Sequence, residues 1–485
     1  YFKYTKERNN NTTKLMALTI EQNPLYTLNP VGQEVIFTVL DAATVGAYFN
    51  VKYVAEVHIS TVDIDLNTSV AIGTFKTTPN NTGVGMYDFR PILESFVSPD
   101  NLAALGSEYK GAATTAIKTH PLHLVDKYSL NDNVVRYLKI RFTIEGSTTA
   151  TGTVAPIDDE EADSDQFTLF NGYLKHTDLL NILNGDFGYT FQRYYLNEVA
   201  LPGDLPAKYL TNAPLTQYAN DTDYGTISFI STEVGSDGIL NRMKVKYYNS
   251  SGTEIGTEDD IPNNVANGGY TTFTTETKNQ LIHFGCYPAN LRNWNSNIVA
   301  NLALGTLAYY EVYAENSDGY RITETLRIYL ICPTLKGYEP IRLTWLNQWG
   351  VWDYYTFKMK STKSISTKGS TYQQLAGTWN ESVYLPDGYR GGKKAFRVNA
   401  MEKISMNTDF VNEAESEWFE ELINSPEVYI LEGYQQDPNY SSLNTYVTPA
   451  RLTTSNFTRK TVANDKLIQY TFEVEKSKTL RTQSV

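Results

Sequence analysis

Strict alternation of apolar and polar residues marks two strands in the first third of the chain. Apolar residues recur at every second position over residues 51–59, where only Val54 breaks the pattern, and again over residues 138–145. A period of two predicts strands with one face on a core and the other in water. Between them, residues 79–83 (PNNTG) predict a turn, and Pro91 is suited to the first position of a short helix.

The middle of the chain shows the same alternation, interrupted by hairpin signals. An alternation over residues 243–247 ends at the turn sequence 249–252 (NSSG). A second alternation over residues 310–314 ends at 316–319 (NSDG), and an apolar strand returns over residues 322–332. Strands joined by turns rich in Asn and Gly are typical of hairpins. This spacing predicts an immunoglobulin-like or fibronectin-like sandwich.

One amphipathic helix is predicted in the last third of the chain. Asn412 is suited to the N-cap, and Glu415, three residues later, would complete a capping box. An apolar stripe that includes Trp418 follows, and Pro426 ends the helix. Residues 468–475 alternate again and predict a strand. This last body is therefore expected to be α+β, with strands dominant.

Aromatic residues are unusually abundant. The chain has 36 Tyr, 20 Phe and 6 Trp, and high Tyr together with Thr, Val and Ile favours strands over helices. Three of the tryptophans, Trp345, Trp349 and Trp352, stand within one dense apolar run. Their predicted role is core packing. Stacking against carbohydrate is the alternative use of these aromatic residues.

Composition divides the chain into serial bodies and predicts a mainly β protein with two or three β-sandwich-like domains. Residues 146–166 combine small residues with six carboxylates, which predicts a solvated acidic linker or loop. A calcium loop is the alternative, but its glycine and ligand spacing are missing. The expected bodies are a polar arm, upstream extension or precursor segment (1–16), a β-sandwich-like domain (17–145), the linker (146–166), an immunoglobulin- or fibronectin-like domain (167–332) and a Trp-rich α+β domain (333–485).

Charge and hydropathy exclude several functional classes. The 485 residues include 41 Lys and Arg against 54 Asp and Glu, a net charge of −13, whereas nucleic-acid binding needs clustered positive charge. No stretch of about 18 apolar residues is present, so no transmembrane helix is expected. Two cysteines are too few for a disulfide scaffold in a chain of this length. We therefore expect no nucleic-acid partner and no membrane insertion.

No catalytic or cofactor-binding signature is present in the sequence. Neither G-x-S-x-G nor H-E-x-x-H occurs, and the glycines at 388–393 fit a hairpin better than a phosphate loop. His58 is expected to be solvated on the polar face of its strand. A pair of carboxylates brought together by the fold would suit glycosidase chemistry, and that alternative stays open. We predict no catalytic residue and no cofactor.

The histidines and cysteines provide only incomplete metal sites. His283 and Cys286 have a ligand-like spacing, with Cys332 far downstream, but tetrahedral zinc needs a fourth ligand. His120 and His123 are close in sequence, without a cysteine or an acidic cluster nearby. We predict that both cysteines are small buried apolar residues and that the chain binds no metal.

Several segments resemble virion structural proteins of tailed bacteriophages. They are 16–39 (MALTIEQNPLYTLNPVGQEVIFTV), 283–293 (HFGCYPANLRN), 338–360 (YEPIRLTWLNQWGVWDYYTFKMK), 425–431 (SPEVYIL) and 467–476 (LIQYTFEVEK). The resemblance covers most of the chain in patches, and it carries no catalytic residues. It implies β-sandwich modules, an oligomeric ring or fibre, and a place in the tail, the baseplate or the head–tail region.

The resulting hypothesis is a non-enzymatic virion structural protein of a tailed phage. Its expected partners are further copies of itself and other virion proteins, with a host-surface glycan as a further candidate. One alternative is a secreted or surface carbohydrate-binding β protein. The other is a glycan-cleaving enzyme, which would need two facing carboxylates in a cleft.

Overall fold

The structure is a computed structural model, and it describes most of the chain. The described residues are 17–24, 28–97, 122, 128–131, 135–175, 194, 206–231, 240–262, 280–292, 294–331, 337–378, 382–431, 447–454, 456–458 and 468–481. The arm expected at residues 1–16 lies outside them, as do His120, His123 and Cys332.

Strands dominate the described residues, which confirms the mainly β class predicted from the sequence. The strands are β1 (Thr19–Gln22), β2 (Leu28–Pro30), β3 (Ile36–Leu40), β4 (Phe49–Ser60), β5 (Gly73–Thr77), β6 (Val84–Asp88), β7 (Tyr128–Asn131), β8 (Val135–Ser147), β9 (Ala155–Asp163), β10 (Phe167–Phe170), β11 (Thr216–Ala219), β12 (Thr226–Ser231), β13 (Arg242–Tyr248), β14 (Asp259–Pro262), β15 (Gln280–Gly285), β16 (Tyr309–Glu315), β17 (Leu326–Leu330), β18 (Ile341–Leu346), β19 (Trp352–Phe357), β20 (Ser361–Gln374), β21 (Gly392–Asn407), β22 (Val428–Leu431), β23 (Val447–Leu452) and β24 (Thr471–Lys476). The helices are α1 (Ala42–Ala47), α2 (Arg90–Leu93), α3 (Pro288–Leu291), α4 (Ser296–Leu302) and α5 (Glu413–Asn424).

These strands form several sheets. A three-stranded sheet has the order β1-β3-β6, and a six-stranded sheet has the order β2-β10-β8-β4-β5 with β9 added to β8. A five-stranded sheet (β11-β17-β16-β13-β14) and a three-stranded sheet (β12-β15-β7) contribute side chains to one shared hydrophobic core. A seven-stranded sheet has the order β19-β18-β22-β23-β24-β21-β20. Sheets that share a core in this way are typical of β-sandwiches.

The described residues group into two compact units, which differ from the predicted bodies. The first unit contains the described residues within 1–100, 131–192 and 277–281, and the second contains those within 101–130, 193–276 and 282–485. The segment 146–166 is not a boundary, because β8 before it and β10 after it pair in one sheet. Most of the bodies expected at 167–332 and 333–485 share the second unit.

The first unit is built on the two strands predicted from alternation. β4 and β8 pair antiparallel, with Val57 opposite Ile140. Their inward side chains contact an aromatic cluster in which the ring of Phe37 lies 5.8 Å from that of Phe89 and 5.7 Å from that of Phe142. The apolar positions of the pattern therefore face the core, as predicted.

The acidic segment 146–166 contains a strand, so the prediction of a linker or loop is corrected. β9 pairs antiparallel with β8, which places Asp163 opposite Arg141. The Arg141 guanidinium donates two hydrogen bonds to that carboxylate, at 2.8 and 2.9 Å. Opposite charges on paired strands stabilise the pairing. This cross-strand partner compensates for the low strand propensity of Asp and Glu.

The second unit has hydrophobic cores on both sides of β18. All six residues of this strand are buried. Because side chains alternate along a strand, Trp345 joins a core with α5, while Leu346 joins the core of the five-stranded sheet. Trp345, Trp349 and Trp352 are all buried, which confirms their predicted role in core packing.

Helix α5 begins and ends where the sequence predicts. The Asn412 side chain accepts a hydrogen bond from the Glu415 N–H, and the Glu415 carboxylate accepts one from the Asn412 N–H, both at 2.8 Å. This reciprocal capping box satisfies two backbone donors at the helix start. Ser425 has an extended backbone at the C-cap, directly before Pro426. Trp418, on the predicted apolar stripe, is buried.

Candidate functional site

His58 is buried, whereas the sequence predicted a solvated side chain. It lies in β4, which stands between β5 and β8 in the six-stranded sheet. Its Nδ1 is 2.8 Å from the Ser69 hydroxyl oxygen. Burial lowers the pKa of the imidazole. A strand inside a sheet can be covered on both faces, so alternation alone does not give the exposure of this side chain.

The structure describes two of the candidate zinc ligands, Cys286 and His283. Cys286 is a free, fully buried thiol whose pKa is raised by burial. The Nδ1 of His283 is 2.6 Å from the Ser228 hydroxyl oxygen. Within the described ranges, no group of three or more His, Cys, Asp or Glu is placed to hold a metal ion. Cys332 lies outside those ranges, so the metal-free role of the pair stays a prediction.

The second unit contains a cavity of about 390 Å³. Its walls come from β11, the residue before α3, strands β18 and β19, and the segment that joins β21 to α5. The polar and aromatic residues that line it include Gln217, Tyr218, Tyr287, Arg342, Lys358 and Phe410. A cavity of this size is within the range of small-molecule sites.

Arg342 is the buried cation of this cavity. It belongs to β18, and its side chain is only 5% exposed. Its Nε donates to the Tyr224 carbonyl at 2.9 Å, and its Nη1 donates to the Thr356 hydroxyl at 2.7 Å. Nη1 is also 3.4 Å from Oδ2 of Asp223. These contacts fix the guanidinium and give it a countercharge, which a buried charge requires.

The same guanidinium also lies over aromatic rings. Its central carbon is 4.5 Å from the ring centroid of Tyr287 and 5.4 Å from that of Tyr354. Rings at such distances attract a cation through their negative faces. The remaining nitrogen, Nη2 of Arg342, is buried and has no hydrogen-bond partner among the described residues.

The cavity is also lined by a second, more exposed ion pair. Nζ of Lys358 is 3.2 Å from Oδ2 of Asp409 and 5.1 Å from the ring centroid of Tyr218. Phe410 follows Asp409 in the chain and leaves 52% of its surface exposed. Half-exposed aromatic residues at a cavity provide flat apolar surface for a ligand.

One half-buried carboxyl group, Glu415, and one buried carboxyl group, Asp353, lie in or behind the wall formed by α5. Burial raises the pKa of Glu415, although the Asn412 N–H that it accepts opposes the shift. Asp353 lies behind Trp418, whose indole Nε1 donates to Oδ2 of the carboxylate at 2.7 Å. The Thr211 hydroxyl is 2.7 Å from Oδ1. Burial raises the pKa of Asp353 to about 6.

The raised pKa of Asp353 predicts a specific pH dependence of stability. A carboxyl group whose folded pKa exceeds its unfolded value of 3.8 adds stability at low pH, and this contribution is lost as the pH rises through about 6. Because one pKa unit equals about 1.4 kcal/mol, the loss amounts to about 3 kcal/mol. The Asp353→Asn variant keeps an acceptor for Trp418. We expect its free energy of unfolding to be close to that of the unaltered protein at pH 4 and higher than that of the unaltered protein at pH 7.

Urea unfolding of both proteins at several pH values between 4 and 7 measures this difference. The contributions of all other carboxylates cancel in the comparison, because only one residue changes. Parallel curves for the two proteins over the whole range would show that Asp353 titrates normally.

The arrangement is suited to binding. Its described lining residues supply donors, acceptors and aromatic faces, and no Ser, Cys or His that could act as a nucleophile or base is among them. Glu415 is held by the capping box and Asp409 by Lys358. Both acidic groups thus already have structural partners.

Sequence reasoning missed this cavity. Arg342 stands within the segment 338–360 that carries the phage resemblance, and it interrupts the apolar run of β18. The sequence offers one sign of the site, which is an arginine in a strand that is otherwise suited to complete burial. A buried charge needs partners, so such an arginine indicates a polar site inside the fold. Those partners, Asp223 and Tyr224, are more than a hundred positions away in the sequence.

Comparisons with known proteins leave the chain without an assigned family. No family model matches it, and no curated protein matches it. Among solved structures it is similar to the native conformation of Escherichia coli alpha-2-macroglobulin, determined by single-particle cryo-EM, at 11% identity and a TM-score of 0.17. That match covers 81% of this chain, which spans 22% of the macroglobulin chain. Within the described residues, no helix is long and apolar enough to span a bilayer.

Proposed function

We propose that this chain is a non-enzymatic virion structural protein of a tailed phage, which assembles into the tail, baseplate or head–tail apparatus through protein–protein contacts. The observation that carries the proposal is an exposed two-stranded arm. β20 and β21 pair antiparallel from Ser361 opposite Met406 to Gln374 opposite Gly392. We call residues 361–407 the assembly arm.

The assembly arm exposes both backbone edges and apolar side chains. β20 is the edge strand of the seven-stranded sheet, and among the described residues the other edge of β21 is paired only at Lys403–Asn407, with β24, and at Ala400, with Leu480. Every residue from Thr362 to Thr371 is exposed. Unpaired edges and exposed apolar groups together favour association with another chain. The large apolar residues exposed on the arm are Ile365, Leu375, Val383, Tyr384, Leu385, Tyr389, Phe396 and Val398.

Charge favours a second copy of the chain as the partner of the arm. The arm has seven Lys and Arg against three Asp and Glu, whereas the whole chain has a net charge of −13. A basic arm on an acidic protein is attracted to the remainder of another copy, and such attraction directs association. Contacts in which an arm binds a different surface of its neighbour generate rings or filaments, as the phage resemblance implies.

Removal of the arm's outer part should abolish self-association and leave the fold intact. We expect a variant in which residues 370–397 are replaced by Asn-Gly to be monomeric, because it lacks the outer part of the arm. It should still fold, because Gly369 and Val398 face each other in the hairpin and Asn-Gly is a favoured two-residue turn between paired strands. The unaltered protein should form oligomers with interfaces of at least about 1,200 Å². Light scattering after size exclusion measures both masses, and circular dichroism checks folding.

A second variant distinguishes the contribution of the apolar side chains to association from that of the arm's length. Replacing Tyr389, which is 70% exposed, and Phe396 by serine keeps the hairpin but removes two anchor side chains, and it should weaken association. The structural proposal fails if the unaltered protein stays monomeric at high concentration and is absent from purified particles. If the deletion variant still forms oligomers, the contacts lie elsewhere on the chain.

A further inference from the structure

We propose that the cavity beside Arg342 is a binding site for a neutral sugar residue of a glycan. This inference is independent of the assembly arm, since the cavity and the arm share no lining residue. It assigns a ligand class to a cavity that assembly does not require. The charge balance of the cavity, its polar lining groups and an exposed aromatic ring support this assignment.

Charge balance excludes strongly ionic ligands. The two cations of the cavity, Arg342 and Lys358, are each within ion-pair distance of a carboxylate, Asp223 and Asp409 respectively. An anion would therefore compete with carboxylates that are already in place, and a cation would compete with the guanidinium and the ammonium. A neutral molecule avoids both costs, because no buried pair has to be separated.

The polar groups of the cavity are suited to hydroxyl groups. Gln217, Tyr218 and Lys358 line it and carry amide, phenol and ammonium groups. A hydroxyl group both donates and accepts, so one polyol can pair with this mixed set.

Phe410 supplies the apolar contact that a sugar ring needs. It lines the cavity, and about half of its surface is exposed. A pyranose ring has an apolar face of C–H groups with a slightly positive edge, which is attracted to the negative face of an aromatic ring. The volume of about 390 Å³ accommodates one or two such rings. The size, the polarity and the aromatic face of the cavity therefore all fit a short neutral segment of a glycan.

Binding of simple glycosides to the full-length protein tests the proposal. The probes are the methyl glycosides of glucose, galactose, mannose and N-acetylglucosamine, with glucuronate and N-acetylneuraminate as charged comparators, measured by saturation-transfer NMR and calorimetry. We expect saturable binding of at least one neutral glycoside, and about tenfold weaker binding by Phe410→Ala, which removes the stacking face. Phe49→Ala is the matched control, because Phe49 is also half exposed but belongs neither to the cavity nor to the assembly arm.

Each remaining outcome overturns the proposal. Absence of binding for all four neutral glycosides at millimolar concentration contradicts a neutral sugar site. Binding of the charged sugars alone contradicts the charge-balance argument. Equal binding by Phe410→Ala and the unaltered protein places the ligand elsewhere. Phe410→Ala should keep the oligomeric state of the unaltered protein, so failure of the sugar site and failure of the assembly proposal give different results.

Discussion

Replacing Trp418 by alanine should lower the free energy of unfolding by about 3–5 kcal/mol. The side chain is 3% exposed and joins the core of the seven-stranded sheet. Its ring lies 4.9 Å from that of Trp345 and 5.3 Å from that of Phe419. The substitution would leave a large cavity among aromatic rings and would also remove the donor to Asp353. Both losses affect the folded state.

Trp418→Phe separates these two contributions. Phenylalanine keeps much of the ring packing but cannot donate to Oδ2 of Asp353, and loss of one buried hydrogen bond should cost about 1–3 kcal/mol. Urea unfolding followed by circular dichroism measures both variants. Val70→Ala, at a side chain that is 86% exposed, is the exposed control and should change stability by no more than about 0.5 kcal/mol. A loss below about 1 kcal/mol for Trp418→Ala would mean that this residue does not anchor the helix.

The sequence predicts the local structure of this protein well, because that structure depends on nearby residues. The alternation around Val57 and Ile140 identifies β4 and β8 without any knowledge of their partners. Asn412 and Glu415 lie within one turn of each other, so the capping box can be recognised from the sequence alone. In both cases the determining contacts are short in sequence or repeat with a fixed period.

The error at residues 146–166 has a physical origin. Asp and Glu are depleted in strands, so a run of carboxylates resembles a solvated linker. The pairing of β9 depends on Arg141, which donates two hydrogen bonds to Asp163. That arginine lies on the polar face of a strand already identified, but its partner becomes known only once the register is known. Composition alone does not contain this information.

The cavity could not be predicted for a related reason. Arg342, Asp223 and Tyr287 come from segments far apart in the sequence, and no fixed spacing connects them. The assembly arm was also missed, because β20 has few apolar residues and its exposed positions give no clear alternation. Surface features that act between chains need not follow the pattern set by a hydrophobic core.

Replacing Arg342 by methionine should destabilise the second unit by about 3–5 kcal/mol. Methionine preserves much of the volume between Tyr287 and Tyr354, but it leaves the buried carboxylate of Asp223 without its cation. Arg342 also connects β18 to the turn that precedes β12, through the Tyr224 carbonyl at 2.9 Å. The effect should therefore exceed that of an exposed ion pair, which is about 0–1 kcal/mol.

A second substitution tests whether the uncompensated charge is the cause. Oδ2 of Asp223 accepts hydrogen bonds from the Asn220 N–H and the Thr356 hydroxyl, both at 2.9 Å. An asparagine can keep both bonds through its carbonyl oxygen. Adding Asp223→Asn to Arg342→Met should thus recover stability, with a coupling energy of about 1–3 kcal/mol. Urea unfolding of the four proteins measures this energy. Additive losses would mean that the methionine variant is destabilised by altered packing against the tyrosines, and that the cation is dispensable for the fold.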